Sequence, residues 1–66
     1  DINDNVGRLI GEGGRAVGAF RRGEGRIFID GKEWAAELEG GGDLSQGAEV
    51  RVTGVRGAIL TVRRPD

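Results

Sequence analysis

At 66 residues the chain has room for one small domain, near the lower limit at which an unstapled core outweighs chain entropy. It contains no cysteine and no histidine, which excludes disulfides, thiolate metal sites and the commonest general base. Ten basic against eleven acidic residues leave a formal charge of -1, so no global field favours nucleic acid or an anionic membrane, and an electrostatic partner must be met by a local patch.

No apolar run approaches a membrane span or the hydrophobic segment of a signal peptide, so the chain reads as soluble. With no methionine, it also reads as a domain of a longer protein. Its fourteen glycines stand singly or in short groups between β-branched runs. That placement is turn punctuation rather than low complexity, and it points to a compact all-β domain.

In chain order, Asp1 to Asn5 is polar and unpatterned and reads as a frayed end. Val6, Leu9 and Ile10 have helical spacing, but Gly7, Gly11 and Gly13-Gly14 interrupt them, so a short apolar plug is expected instead of a helix. From Gly14 to Phe20 the alternation places Gly14, Ala16, Gly18 and Phe20 on the inner face of a first strand. Small residues there allow the sharp coiling that a closed barrel needs. Arg21-Arg22-Gly23-Glu24 reads as a short polar turn.

The stretch from Gly25 to Leu38 is the best specified. Asp30-Gly31 suits the positive φ angles of a two-residue type I′ turn, and apolar-rich runs flank it, so it reads as a β-hairpin. Ile27, Ile29, Trp34, Ala36 and Leu38 face inward as barrel core, whereas Arg26, Phe28, Glu33, Ala35 and Glu37 face outward. Gly40-Gly41-Gly42 is expected to be a mobile connection, with Leu44 returning as a second plug. Val50, Val52 and Val55 mark a fourth strand, Arg56-Gly57 a second tight turn, and Ala58 to Arg63 a fifth strand that Pro65 ends. Five antiparallel strands with a long third connection describe a small OB-fold-type barrel, with an SH3-like barrel as the alternative architecture.

Catalysis fails on inventory. Ser45 is the sole serine and has no histidine to activate it. Gly11-Glu12-Gly13 and Gly23-Glu24-Gly25 lack the following helix and the Gly-Lys-Ser/Thr of phosphate-binding loops. Glu33, Glu37 and Glu39 lie at strand spacing without calcium-loop geometry. No catalytic residue, metal, cofactor or small-molecule ligand is expected.

Several segments carry a family resemblance: Leu9-Ile10-Gly11, Phe20-Arg21, the run from Gly25 to Ala36, Gly47-Ala48-Glu49-Val50-Arg51-Val52, and Leu60-Thr61-Val62. Together they resemble the C-terminal soluble domain of the NfeD family, over nearly the whole chain from Leu9 onward. The resemblance implies a lead-in or disordered segment over residues 1–8 and an OB-fold domain over 9–66. It implies the soluble part of a membrane-anchored prokaryotic protein, on the cytoplasmic side. It further implies a non-catalytic interaction module acting with stomatin-, prohibitin- or flotillin-type partners in membrane organisation or regulation of membrane protease activity. Some long relatives in the family carry a ClpP-like serine protease domain, of which nothing is present here. The family usually has a proline shortly after the residues that close the first strand. Arg22-Gly23-Glu24 stands there instead, so a longer, more mobile turn is expected.

The rival function is single-stranded nucleic-acid binding on strands two and three and the loops after strands one and four. Arg21, Arg22, Arg26, Phe28, Lys32 and Arg56 occupy those positions and form the candidate partner surface. One outward aromatic ring and the acidic row Glu33, Glu37 and Glu39 weigh against phosphate polymers, so a protein partner is the first expectation. Phe28 reads first as an incidental exposed apolar residue, as any surface carries; the alternative makes it, with Ala35, Val17 and Ile59 near it, the apolar part of such a docking patch.

Overall fold

The computed structural model describes residues 6–65, and the expected frayed start at residues 1–5 lies outside them. Five strands form: β1 (Gly13–Ala16), β2 (Glu24–Ile29), β3 (Lys32–Leu38), β4 (Glu49–Arg56) and β5 (Ile59–Arg63). Asp30 at φ 55° and Gly31 at φ 81° make the β2–β3 turn, both left-handed as a type I′ turn requires. The ladder then runs unbroken from Ile29↔Lys32 to Glu24↔Glu37. This register buries Ile27, Ile29, Ala36 and Leu38 together and leaves Arg26 and Phe28 in water.

The strands close into a barrel in the order β1-β2-β3-β5-β4, with β4 returning to β1. This is a five-stranded barrel of the OB type. The expectation of an all-antiparallel sheet is corrected at one seam: β3 and β5 are parallel from Ala36↔Leu60 to Leu38↔Val62. The long connection after β3 carries the chain across the barrel, lays β4 against β1, and lets the β4–β5 hairpin return β5 in the direction of β3.

β1 is shorter than its alternation predicts. It leaves the ladder after Ala16, and Phe20 instead forms an isolated bridge with Leu44, with Phe20 N donating to Leu44 O (2.9 Å) and Leu44 N to Phe20 O (3.2 Å). An extended strand would have kept Phe20 in the wall; the bend lets Phe20 and Leu44 close one end of the barrel, both buried. Val6 and Leu9 enter the core from a turn held by Leu9 N to Val6 O (3.0 Å), while Ile10 stays exposed. The Arg8–Asp30 ion pair (2.9 Å) ties that turn to the β2–β3 hairpin.

Four sequence expectations are refined. The turn before β2 is the short polar one read from its residues, not the longer one implied by the missing proline: Arg21 and Glu24 exchange two backbone hydrogen bonds of 3.0 Å, with Arg22 at φ 55° and Gly23 at φ 79°, a second two-residue turn of the I′ kind. The tri-glycine stretch takes the left-handed conformation throughout, with Gly40, Gly41 and Gly42 at φ 81°, 72° and 96° and Gly23 N donating to Gly42 O (2.6 Å). Only glycine takes three such angles in succession without strain. The β4–β5 turn is Gly57-Ala58, since Arg56 pairs with Ile59. A bulge between Val52 and Gly54 absorbs Thr53, which explains why Val52 and Val55, three residues apart, both turn towards the core.

Trp34 shares the inward face of β3 but is half-buried, not interior. It sits near the barrel's end, where its indole Nε1 donates to Ile29 O (3.3 Å). Trp34→Ala is therefore expected to lower stability by about 1–3 kcal/mol, short of the ~3–5 kcal/mol of an interior aromatic. The shift in urea midpoint reads this directly, and a loss as large as that of an interior ring would place the indole deeper than it lies.

Candidate partner-binding surface

Among the described residues no polar or charged side chain is buried and no buried side-chain donor or acceptor lacks a partner. The interior is therefore purely apolar, and recognition chemistry resides on the surface. No group of three or more acidic residues converges as a metal site among the described residues, and no helix there is long and apolar enough to cross a membrane. Ser45 is exposed on the loop after Leu44.

The six candidate residues fall into four places. Arg26 and Phe28 lie side by side on the outer face of β2, because both are odd steps from the buried Ile27. Phe28 keeps 51% of its surface exposed, between Arg15 of β1 and Glu33 of β3 across the ladder. Arg26 Nε is held by Glu33 Oε1 (3.2 Å). Arg21 and Arg22 occupy the turn at the start of β2, in line with that row. Lys32 lies at the far end of β2–β3, opposite Ile29, on the register of the inward face, so it does not join Arg26 and Phe28. Arg56, at the end of β4, reaches across to pair with Glu37 of β3.

The Arg26–Phe28 row is a ridge between two open grooves. On the β1 side, a groove of about 590 Å³ runs over Gly13 and Gly14, walled by Phe28, Glu49 and Arg51. Arg51 Nη1 is anchored to Gly11 O (2.8 Å). On the β3 side, a groove of about 480 Å³ is bounded by Arg26, Trp34, Ala35 and the Gly57-Ala58 turn. The outward acidic row is largely occupied at home: Glu33 by Arg26, Glu37 by Arg56, and Glu39 by the Thr53 hydroxyl. These surface pairs contribute little to stability, but they spend the carboxylates that would otherwise repel an acidic partner.

Sequence reasoning missed two members of this surface. Asp43 accepts the Arg22 backbone N–H at Oδ1 (3.1 Å), and the Arg64 guanidinium donates to Asp43 O (3.0 Å). The Arg63-Arg64 doublet was the available signal for the second; nothing local marked the first, because the contact spans the barrel end.

The chain matches the model of the NfeD-like C-terminal, partner-binding domain over residues 6–64. Among solved structures it is similar to the C-terminal domain of stomatin operon partner protein 1510-C from Pyrococcus horikoshii, at 32% identity and a TM-score of 0.83, covering 89% of this chain and 91% of that one. It is also similar to the soluble domain of a membrane protein implicated in regulation of membrane protease activity from Corynebacterium glutamicum. That match has 20% identity and a TM-score of 0.81, covers 89% of this chain and 95% of the other, and speaks to the fold alone. No curated protein matches. A family model covering all but the ends of the chain, on a closed barrel with an apolar interior and an exposed ridge, places it in the family of NfeD-like C-terminal, partner-binding domains.

Proposed function

We propose that this chain is the non-catalytic, partner-binding module of a membrane-anchored protein, facing the cytoplasm, and that its partner is a stomatin-type membrane protein. Regulation of a membrane protease through that partner is the role this reading favours. The docking surface is the outer face of β2, with Phe28 as its apolar anchor and the arginines along the strand as its polar flank. The observation that carries the proposal is Phe28, a large aromatic held half-exposed on β2, walling one groove, next along the outer face to Arg26, which borders the other. Exposed aromatics with arginine neighbours are the residue types that dominate interface energetics. The class of partner rests on likeness to the stomatin operon partner protein. The lack of histidine and the purely apolar interior support a role without chemistry of its own.

The test is capture of a stomatin-type protein from detergent-solubilised membranes on the immobilised chain. The wild-type chain is expected to retain it, and Phe28→Asp to retain roughly tenfold less while still melting cooperatively, a few degrees lower because aspartate faces Glu33 across the ladder. Failure of the wild type to retain it contradicts the partner, and equal retention by Phe28→Asp contradicts the surface.

A further inference from the structure

The chain contains two turns of the same kind, and they are filled differently. Asp30-Gly31 carries at φ 55° a residue type that tolerates the left-handed region, whereas Arg22-Gly23 carries an arginine at the same φ. A long side chain gains nothing from that conformation, and asparagine, aspartate or glycine would relieve it. The turn is also over-determined by its surroundings. Arg22 N donates to Asp43 Oδ1 (3.1 Å), Gly23 N donates to Gly42 O (2.6 Å), and a Cβ on Gly23 would fall 2.9 Å from Gly41 Cα. The backbone is pinned while the arginine points to water.

Charge gathers at the same rim. Arg21 and Arg22 are exposed, and no described residue forms an ion pair or hydrogen bond with either guanidinium. Arg64 reaches the same loop, its guanidinium on the carbonyl of Asp43, the residue that also accepts the Arg22 backbone N–H. Asp43 is the carboxylate of this loop, and its Oδ1 already serves the Arg22 backbone. Glu24, across the turn, pairs with Arg21 through backbone alone.

From these observations we infer that the strained Arg21-Arg22 turn and Arg64 form a preset anion-recognition rim for an acidic, carboxylate-bearing segment of a protein partner. This rests on the partner-binding reading above and adds the chemistry of what is bound. A carboxylate segment fits better than a phosphate polymer. Glu24 opposes Glu37 directly beyond the turn, and the exposed ring of Phe28 lies well along β2, so neither a continuous cationic track nor a stacking platform adjoins the rim. Exposed arginines that follow one another in the chain, with guanidiniums that have no partner among the described residues, suit short bidentate contacts to carboxylates.

The experiment titrates the chain with labelled hexaglutamate, using hexaglutamine, oligothymidine and vesicles of phosphatidylserine and phosphatidylcholine in equal parts as comparison probes. The expected result is binding of hexaglutamate and not hexaglutamine, weakening as salt rises. Arg22→Asn is expected to bind about fivefold more weakly and yet to melt about 3–6 °C higher, because asparagine relieves the turn. Arg22→Lys keeps both charge and strain, so it melts with the wild type and retains most of the binding. The inference is overturned if Arg22→Asn melts no higher, if it binds hexaglutamate undiminished, or if the wild type prefers oligothymidine or the vesicles to hexaglutamate. Retention of a stomatin-type protein by wild-type chain and Arg22→Asn alike overturns the rim and leaves the partner standing. Hexaglutamate binding without such retention overturns the partner and leaves the rim.

Discussion

Gly25→Ala is expected to destabilise the domain by about 3 kcal/mol, although alanine in place of a strand glycine ordinarily stabilises through the unfolded state. The reason is a contact with Phe20, just before the turn that leads into β2. A Cβ at this position would fall 2.4, 2.6 and 2.6 Å from Cδ1, Cε1 and Cγ of Phe20, the body of the ring rather than a flexible tip. Phe20 is wholly buried and its backbone is fixed by both hydrogen bonds to Leu44, so the ring has nowhere to swing. Across the ladder Gly25 faces Ala36, and these two small residues make the recess in which the ring lies. A domain of this size holds only about 3–10 kcal/mol of stability, so one overpacked site removes much of it. Urea denaturation reads the loss, and adding Phe20→Leu to the Gly25→Ala chain should recover part of it, as coupled neighbours do. An unchanged midpoint for Gly25→Ala would show that the ring does not lie against this glycine.

Phe20→Ala is the other severe change, expected to cost about 3–5 kcal/mol. Phe20 is the largest of the fully buried side chains and closes one end of the barrel. Its removal empties the recess over Gly25 and loosens the bridge to Leu44, which joins the turn before β2 to the tri-glycine connection. The thermal midpoint should fall by well over 10 °C, given the usual sensitivity of a domain this small. Phe20→Leu, which refills most of the volume, should fall less than half as far. If alanine were tolerated, the bend after β1 would have some cause other than the placement of this ring.

Much of the fold could be read from local chemistry. Asp30-Gly31 between alternating runs specified the central hairpin, and its parity correctly separated Ile27 and Ile29 from Arg26 and Phe28. The two plugs were visible as apolar residues, Leu9 and Leu44, stranded among glycines and polar residues. What escaped was mostly non-local. The parallel seam between β3 and β5 depends on where the long connection deposits β4, which no window of residues encodes. The close packing of Gly25 on Phe20 is local in sequence, across one short turn, yet it appears only once the chain bends after β1. Arg21 to Glu24 was legible as a short polar turn from its own residues, against the longer turn that the missing family proline implied. The three-residue step from Val52 to Val55 is the mark of a bulge, which plain alternation overlooks.

The candidate surface was legible to the same degree. Alternation placed Arg26 and Phe28 together outside, and the same alternation puts Lys32 in register with Trp34, Ala36 and Leu38, away from them. The pairing of Arg56 with Glu37 and the gathering of Arg21, Arg22, Arg64 and Asp43 depend on barrel closure.

The most direct measurement is an amide chemical-shift and line-broadening map of the isotope-labelled chain on titration with a stomatin-type protein. Docking along β2 predicts perturbation from Arg21 through Arg26 and Phe28, with the outer residues Thr53 and Thr61 on the far side of the barrel unaffected. Perturbation centred on β4 and β5, or none at saturating partner, would contradict it.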